Sequence, residues 1–408
     1  MDKKFGLLGR KLGHSWSPRI HELLCGYPYE LYEVEPDELE VFLKTTDLAG
    51  MNVTIPYKKA VLPFCTSLSP AAKAIGSVNT LVRTETGWYG DNTDHAGFVT
   101  MTKACGVSPA GKKALVFGSG GASLAVIAAL RDMGVSRLVN ISRTGPDNYG
   151  NLDRHADAEI LVNTTPLGMY PDTGKAPVSL ESFPNCQAVL DVIYNPERTA
   201  LLLDAEARNI PHAGGLLMLV AQARRSAEQF AGKAIPDERV YEITEILRWE
   251  TRNIILIGMP GCGKSSIGRM LSQRLDRPFT DADKIIETQA GMTIPEIFRA
   301  EGEEGFRRRE TAALAELGKA SGTIIATGGG CVTRPENYPL LHQNGVIVWI
   351  RRDLKMLPTA GRPLSQANPV EKLYAQRKEL YAAFADVIVR SDENMNHTVN
   401  KILEETQK

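Results

Sequence analysis

The chain has almost no net charge: 47 lysines and arginines stand against 48 aspartates and glutamates, a formal balance of -1. It therefore has no global field to draw nucleic acid or an anionic membrane, and partners must be recognised at local sites. Cysteine is scarce and scattered. Cys25, Cys65, Cys105, Cys186, Cys262 and Cys331 form no C-x-x-C pair and have no histidine at zinc spacing, which excludes a zinc module and reads as free thiols in a reducing cytosol. No apolar run approaches bilayer length, and the opening MDKKFGLLGRKLGHSW lacks the apolar stretch and small-residue cleavage site of a signal peptide. Export and membrane insertion are not expected; a cytoplasmic location is. Tandem repeats, heptads and low-complexity tracts are lacking as well.

What is present is the rhythm of a parallel α/β protein. The 408 residues exceed what one hydrophobic core organises, so two or three units are expected. KALVFGSGG at 113–121, NIILIGMPG at 253–261 and TIIATGGG at 323–330 are apolar, β-branched runs that end in glycine and precede amphipathic segments. Two of them open glycine-rich loops of the phosphate-binding kind, at Gly118 and Gly258, and one nucleotide-binding unit rarely holds both. Between them, DERVYEITEILRWETR at 237–252 has apolar residues at helical spacing and predicts a closing helix and a short linker. TGPDNYGNLDRHADAE at 144–159 is rich in turn formers and reads as a connection.

GMPGCGKS at 258–265 matches G-x-x-x-x-G-K-[ST], with the strand IILI before it and the helical SIGRMLSQRL after it. Glycines let backbone N–H groups turn toward phosphate oxygens, Lys264 neutralises their charge, and the Ser265 hydroxyl can ligate Mg²⁺. The loop predicts an ATP-dependent phosphotransferase. Downstream, PFTDADKIIE places Asp281 and Asp283 two residues apart at the end of an expected strand, side chains sharing a direction, one for Mg²⁺ and one for a substrate hydroxyl.

From 253 to 408 the P-loop, DADKIIE, GEEGFRRRE, ATGGG, AGRPLS and YAQRKELY follow in the order of shikimate kinases, which this part of the chain resembles. The resemblance implies that Gly261, Gly263, Lys264, Ser265 and Ser266 hold ATP and that Ser265 and Asp281 hold Mg²⁺. It makes Asp283 the group that deprotonates the acceptor hydroxyl, and Arg307 and Arg377 the partners of the substrate carboxylate, with Glu310 orienting Arg307. Gly328, Gly329 and Gly330 would let the substrate ring approach backbone, and Arg362, in a lid, would reach the transferring phosphoryl group. Lys355 stands where an arginine is common.

The other loop, GSGGASLA at 118–125, sits between the strand ALVF and an apolar helix, where a dinucleotide pyrophosphate meets a helix N-terminus. Ser123 takes the usual third-glycine position. About twenty residues on, RLVNISRT offers Ser142, Arg143 and Thr144 instead of an acidic residue, and a cation there suits the 2′-phosphate of NADP. Further toward the N-terminus, GRKLGHSWSP, NVTIPYKKA, SVNTL and GDNTDHAG gather hydroxyls, amides, a lysine and an aspartate, equipment for gripping a polyhydroxylated acid and moving a proton.

Together with NTTPLGM at 163–169, DVIYNPERTALL at 191–202 and GLLMLVAQA at 215–223, these clusters resemble shikimate dehydrogenase over about 1–250. The resemblance implies that Ser15 and Ser17 bind the substrate carboxylate, that Thr54, Asn79, Tyr194 and Gln222 take its other polar groups, and that Lys58 and Asp94 form the proton-handling pair. Gly118, Gly120, Gly121, Ala122, Arg143 and Thr144 would hold NADP(H), with Gly215 and Met218 shaping the nicotinamide pocket. Glu22 departs from the family's usual asparagine, and the stretch from Arg143 to Asn163 is short. His14 is left outside the mechanism.

The two resemblances imply consecutive reactions: reduction of 3-dehydroshikimate with NADPH, then phosphorylation of shikimate by ATP and Mg²⁺. The expected architecture is α/β: an N-terminal substrate domain from 1–100 and 215–248, a Rossmann-type NADP domain at 101–214, a linker at 249–252 and a P-loop kinase domain with parallel sheet at 253–408. Small molecules are the expected partners, without nucleic acid or membrane. The alternatives are a quinate/shikimate dehydrogenase fused to a kinase-like module and a non-catalytic metabolite-sensing regulator.

Overall fold

In the computed structural model, which describes residues 3–13, 15–357 and 370–407, the apolar runs become strands whose glycine-bearing ends open onto loops. The chain divides into two units, Met1–Ile246 and Leu247–Lys408. No described helix is long and apolar enough to cross a membrane.

The first unit is built on two sheets. Strands β1 (Phe5–Gly9), β2 (Tyr29–Glu33), β3 (Gly50–Val53), β4 (Cys65–Leu68), β5 (Thr80–Thr84) and β6 (Gly87–Asp91) form one, in the order β2-β1-β3-β5-β6-β4. β1 runs parallel to β2 and β3, while β5 is antiparallel to β3 and β6. FGLLG and GMNV are buried at every position, as strands covered on both faces must be. The second sheet is parallel throughout. Its strands β7 (Lys113–Phe117), β8 (Arg137–Ile141), β9 (Ile160–Asn163), β10 (Ala188–Asp191) and β11 (His212–Ala213) lie in the order β11-β10-β9-β7-β8.

Two helices join these sheets. Helix Leu216–Ala231 buries Met218 with Phe98, Met101, Val116 and Val162 against the second sheet. Farther along, Phe230 stacks on Phe5 with ring centroids 4.9 Å apart and lies where a side chain on Gly50 would be, so the same helix closes the first sheet. Helix Asp94–Ala104 crosses it closely at Gly97, where a Cβ would stand 2.7 Å from the Met218 carbonyl oxygen. Only glycine allows that approach.

The turn-rich stretch 144–159 is more ordered than a bare connection. Ser142 Oγ accepts from Gly145 N at 2.9 Å, and Asn148 caps a short helical segment, Tyr149–His155. Asn and Ser side chains that bond nearby backbone stabilise such turns without an apolar core.

In the second unit β12 (Asn253–Ile257), β13 (Phe279–Asp281), β14 (Ile324–Ala326), β15 (Gly345–Arg351) and β16 (Val387–Arg390) form a parallel sheet ordered β13-β14-β12-β15-β16. Ile254, Ile255, Leu256 and Ile257 of the central strand are all fully buried, each contributing roughly 1.5–3 kcal/mol of transfer free energy. Helix Glu238–Thr251 leads into this unit, so residues 249–251, expected in the linker, are its final turn. Helix Ile294–Leu317 is broken at Gly302, whose φ of 71° lies in the left-handed region.

Candidate functional site

The loop after β3 carries Lys58, and the loop after β6 ends at Asp94 in the first turn of helix Asp94–Ala104, where the helix dipole favours a carboxylate. Lys58 Nζ meets Asp94 Oδ2 at 2.5 Å, with the side chains only 19% and 10% exposed. The Lys58 carbonyl accepts from Val78 N at 2.7 Å, tying its loop to the segment that leads into β5. Asn79 Nδ2 donates to Asp94 Oδ1 at 2.9 Å, to Thr93 Oγ1 at 3.0 Å and to Gln222 Oε1 at 3.4 Å, while its Oδ1 accepts from Thr93 N. Lys58, Asp94, Asn79 and Gln222 thus form one cluster from four separate segments.

Ser15 and Ser17 stand with hydroxyls 3.3 Å apart at the start of helix Ser17–Cys25. Between them Trp16 meets Tyr194 edge-on at 6.3 Å, which brings the loop after β10 to the same place; burial pushes the Tyr194 phenol pKa up. Ser17 hydrogen-bonds the Tyr29 phenol, whose OH donates to Asn52 Oδ1 at 2.8 Å. Asn52 donates onward to Ser226 and Thr80, which reach Thr93 and Asn79. A buried hydrogen-bonded chain therefore links the two groups of side chains. Thr54 directly follows β3, its N–H donating to Leu8 O of β1 at 2.9 Å.

His21 is part of this buried chain, with Nε2 3.1 Å from Asn52 Oδ1 and its ring stacked on Tyr29 at 4.0 Å. Burial lowers its pKa to about 3, so it is a neutral structural partner. Glu22 points away, paired with Arg19 at 2.8 Å. His14 lies outside the described residues.

Sequence reasoning passed over Asp191, at the end of β10. Its fully buried carboxylate accepts from Asn163 Nδ2 at 3.1 Å, Ile193 N at 3.0 Å and Thr199 Oγ1 at 2.8 Å, holding both ends of the loop that carries Tyr194. Burial pushes its pKa up to about 6. The signal was an aspartate closing an apolar strand three residues before Tyr194, a site where a buried acid can only persist if satisfied. Gly215 packs against the same loop, donating to Ile193 O at 2.9 Å where a Cβ would strike the Val192 carbonyl.

Gly118–Ala122 form the turn from β7 into helix Gly121–Asp132. Gly118 has φ 117° and donates to Ile141 O, which ties the loop to the end of β8 and brings Ser142, Arg143 and Thr144 beside it; Arg143 and Thr144 are exposed. A Cβ on Gly120 would meet nothing within 4 Å, so the space over this helix start is open. Ser123, at the third fingerprint position, donates to Gly120 O at 2.7 Å and is buried, stabilising the turn rather than obstructing it. Across that opening lies the Lys58–Asp94 pair: a Cβ on Gly121 would be 3.6 Å from Lys58 Cδ. The residues fit a dinucleotide.

In the second unit Gly258, Gly261 and Gly263 have φ of 142°, 84° and 102°, a backbone path closed to other residues without strain. Lys264 Nζ folds over the loop, donating to Gly258 O at 2.9 Å and Met259 O at 3.1 Å. Ser265 Oγ donates to Asp281 Oδ2 at 2.6 Å, and Ser266 is exposed one residue on. Asp281 ends β13 as expected, but Asp283 does not share its strand. It lies in the first turn of helix Ala282–Ala290, capped by Asp281 Oδ1 at 3.1 Å from its N–H. The D-x-D spacing read as a strand is a strand end and a helix cap.

Asp283 Oδ1 and Glu310 Oε1 are buried and have no hydrogen-bond partner among the described residues. Both face Gly328, where a Cβ would collide with each of them. Burial and the Glu310 charge push the Asp283 pKa up to about 6, and burial raises that of Glu310. Arg307 donates to Glu310 at 2.7 Å and Glu303 at 3.1 Å, its guanidinium filling the space over Gly330. Arg377 donates to Gly329 O at 3.1 Å, and Tyr381 donates to the same oxygen. Of Arg307, Arg308 and Arg309, Arg309 pairs with Glu301 while Arg307 is the one that is buried, in the helix segment that follows the break at Gly302. Lys355 is exposed, and Arg362 lies outside the described residues.

Ser265 and Asp281 supply the oxygens for a hard divalent ion, and among the described residues no group of three or more acidic, histidine or cysteine side chains offers a complete cage. Mg²⁺ bound with a nucleotide uses few protein ligands, so the pair fits.

Both parts of the chain match known proteins. A family model described as the shikimate dehydrogenase substrate binding domain matches residues 7–81, and one described as shikimate kinase matches residues 260–407. Shikimate dehydrogenase (NADP(+)) of Clostridium beijerinckii is 37% identical over 243 residues, covering 55% of this chain and 90% of that protein. The solved chorismate mutase/shikimate 5-dehydrogenase fusion protein from Clostridium acetobutylicum has a TM-score of 0.58 at 34% identity, over 60% of this chain and 97% of that one. Shikimate 5-dehydrogenase from Thermus thermophilus, solved in complex with NADP(H) and shikimate, has a TM-score of 0.55 at 32% identity, over 60% and 99%. The N-terminal part of the chain belongs to the shikimate dehydrogenase family and is followed by a shikimate kinase domain, which makes the protein a two-enzyme fusion of the shikimate pathway.

Proposed function

We propose that the first unit reduces 3-dehydroshikimate to shikimate with NADPH and that the second phosphorylates the 3-hydroxyl of shikimate with ATP and Mg²⁺. The observation that carries this reading is the Lys58–Asp94 pair lying against Gly121, an acid–base pair at the mouth of a dinucleotide loop. Bound NADPH supplies the hydride. Lys58 Nζ, held by Asp94, protonates the alkoxide oxygen that forms on the substrate, and Asn79 fixes Asp94 so that the lysine keeps its direction. Ser15 and Ser17 take the carboxylate; Thr54, Asn79, Tyr194 and Gln222 take the remaining oxygens.

In the second unit Asp283 offers its unpartnered oxygen to the acceptor hydroxyl, and Arg307 and Arg377 present two cations beside Gly329 and Gly330 to a carboxylate. Ser265 and Asp281 hold Mg²⁺, and bound ATP supplies the phosphoryl group. The product of the first unit is then the acceptor of the second. Purified full chain given 3-dehydroshikimate, NADPH and Mg-ATP should oxidise NADPH and release ADP; soluble, folded protein doing neither would refute the reading.

Gly330→Ala tests the carboxylate grip. The backbone there is ordinary, with φ -108°, so the added methyl acts by displacing the Arg307 guanidinium. The KM for shikimate in the kinase reaction is expected to rise about tenfold or more, with dehydrogenase kinetics unaltered. An unchanged KM would remove Arg307 from the substrate site.

A further inference from the structure

The P-loop is flanked unequally. On one side lie β14 and β13, bringing the glycine turn at 328–330 and Asp281. On the other lies β15, paired with β12 so that Trp349 stands opposite Ile257. Gly258 rests on this second strand, where a Cβ would come within 2.5 Å of Ile350 O. Two residues beyond Ile350 comes Arg352, at the carboxyl end of the strand, where ligands of open α/β sheets bind.

Arg352 is half-buried, and its Nη1 lies 4.0 Å from the position a Cβ on Gly263 would take. Its Nε is buried without a hydrogen-bond partner, and among the described residues no ion pair satisfies its guanidinium. Neighbouring charges are engaged elsewhere: Arg351 lies toward the Trp349 ring, and the Asp353 carboxylate caps Lys355 N at 3.0 Å. A planar fork of donors with no acceptor among the described residues is thus held beside a loop shaped for anions, on the side opposite Asp281.

We infer that Arg352 is a nucleotide-binding residue, pairing with the phosphate chain of ATP from the β15 side of the P-loop. This rests on the kinase reading of the second unit. It assigns the flank opposite the Mg²⁺ ligands a cation of its own, in addition to Lys264, which reaches the loop from within.

Binding of a fluorescent ADP to the full chain, with NADP⁺ saturating the other nucleotide site, tests it. Arg352→Ala should raise the Kd for ADP about tenfold or more, as expected for losing charge-assisted hydrogen bonds. Arg352→Lys should recover much of the affinity, tripolyphosphate should compete less well against Arg352→Ala, and the KM for shikimate should move less than about twofold. Unchanged ADP affinity in Arg352→Ala overturns the inference. So does a loss that spares tripolyphosphate, because the contact would then be to the adenosine end. A wild-type chain whose ADP binding is absent, or survives Lys264→Ala, removes the kinase reading itself and the inference with it. Dehydrogenase turnover of each sample reports that the protein is folded.

Discussion

Lys58→Ala is expected to lower the turnover of 3-dehydroshikimate with NADPH roughly 10²–10⁴-fold, the usual contribution of a positioned proton donor, while shikimate phosphorylation continues at its normal rate. The physical reason is that hydride addition leaves negative charge on the carbonyl oxygen, and the lysine that neutralises it is held at 2.5 Å from Asp94 in a largely enclosed site. An exposed lysine would swing among rotamers; this one has its carboxylate partner anchored by Asn79 and its loop tied through Val78. Asp94→Asn should therefore also impair the reaction, though less, since the amine remains. Turnover at saturating substrate and cofactor is the measurement. A Lys58→Ala enzyme within tenfold of the parent would assign proton transfer elsewhere.

The second large effect belongs to Asp283. Asp283→Asn is expected to cut kinase turnover by about 10²–10⁴-fold, with NADPH oxidation unaffected. Because burial and Glu310 hold its pKa up at about 6, the carboxylate is protonated and unable to accept a proton below that value. Kinase kcat/KM in the wild-type enzyme should accordingly climb as pH rises through about 6 and level off above it. Glu310→Gln removes the neighbouring charge that helps raise this pKa, so the inflection should shift to lower pH. The KM for shikimate should rise in the same variant, because Arg307 loses its partner at 2.7 Å. A profile flat from pH 5 to 8 would exclude Asp283 as the titrating base.

The parts of both sites legible in the sequence are those whose chemistry is local. GMPGCGKS specifies its own path, since Gly258, Gly261 and Gly263 all take left-handed φ values and the strand and helix that the motif requires are its immediate neighbours. GSGGAS is legible through its neighbours, strand Lys113–Phe117 and helix Gly121–Asp132, although of its glycines only Gly118 has a positive φ. Asp283 was expected on a strand, because a two-residue spacing suits a strand and a helix start equally well until Asp281 is seen capping the next turn. Composition does not distinguish Arg307 from Arg308 and Arg309; the family resemblance singles it out, and it is the one of the three that is buried.

From local propensity and spacing alone, the chain determined two phosphate-binding loops, their order, and the polar clusters around them. Which residues meet was decided by tertiary structure. Lys58 and Asp94 are 36 positions apart and Asn79 and Gln222 are 143 apart, and such pairs form only because strand order and register bring separate loops to one end of a sheet. The same holds where no pairing was expected: Asp191 clamping the Tyr194 loop, and Arg352 beside Gly263. A buried carboxylate is committed to a role by the donors packed around it, and an unpaired guanidinium by the loop it is held against; both surroundings are supplied by segments distant in the chain.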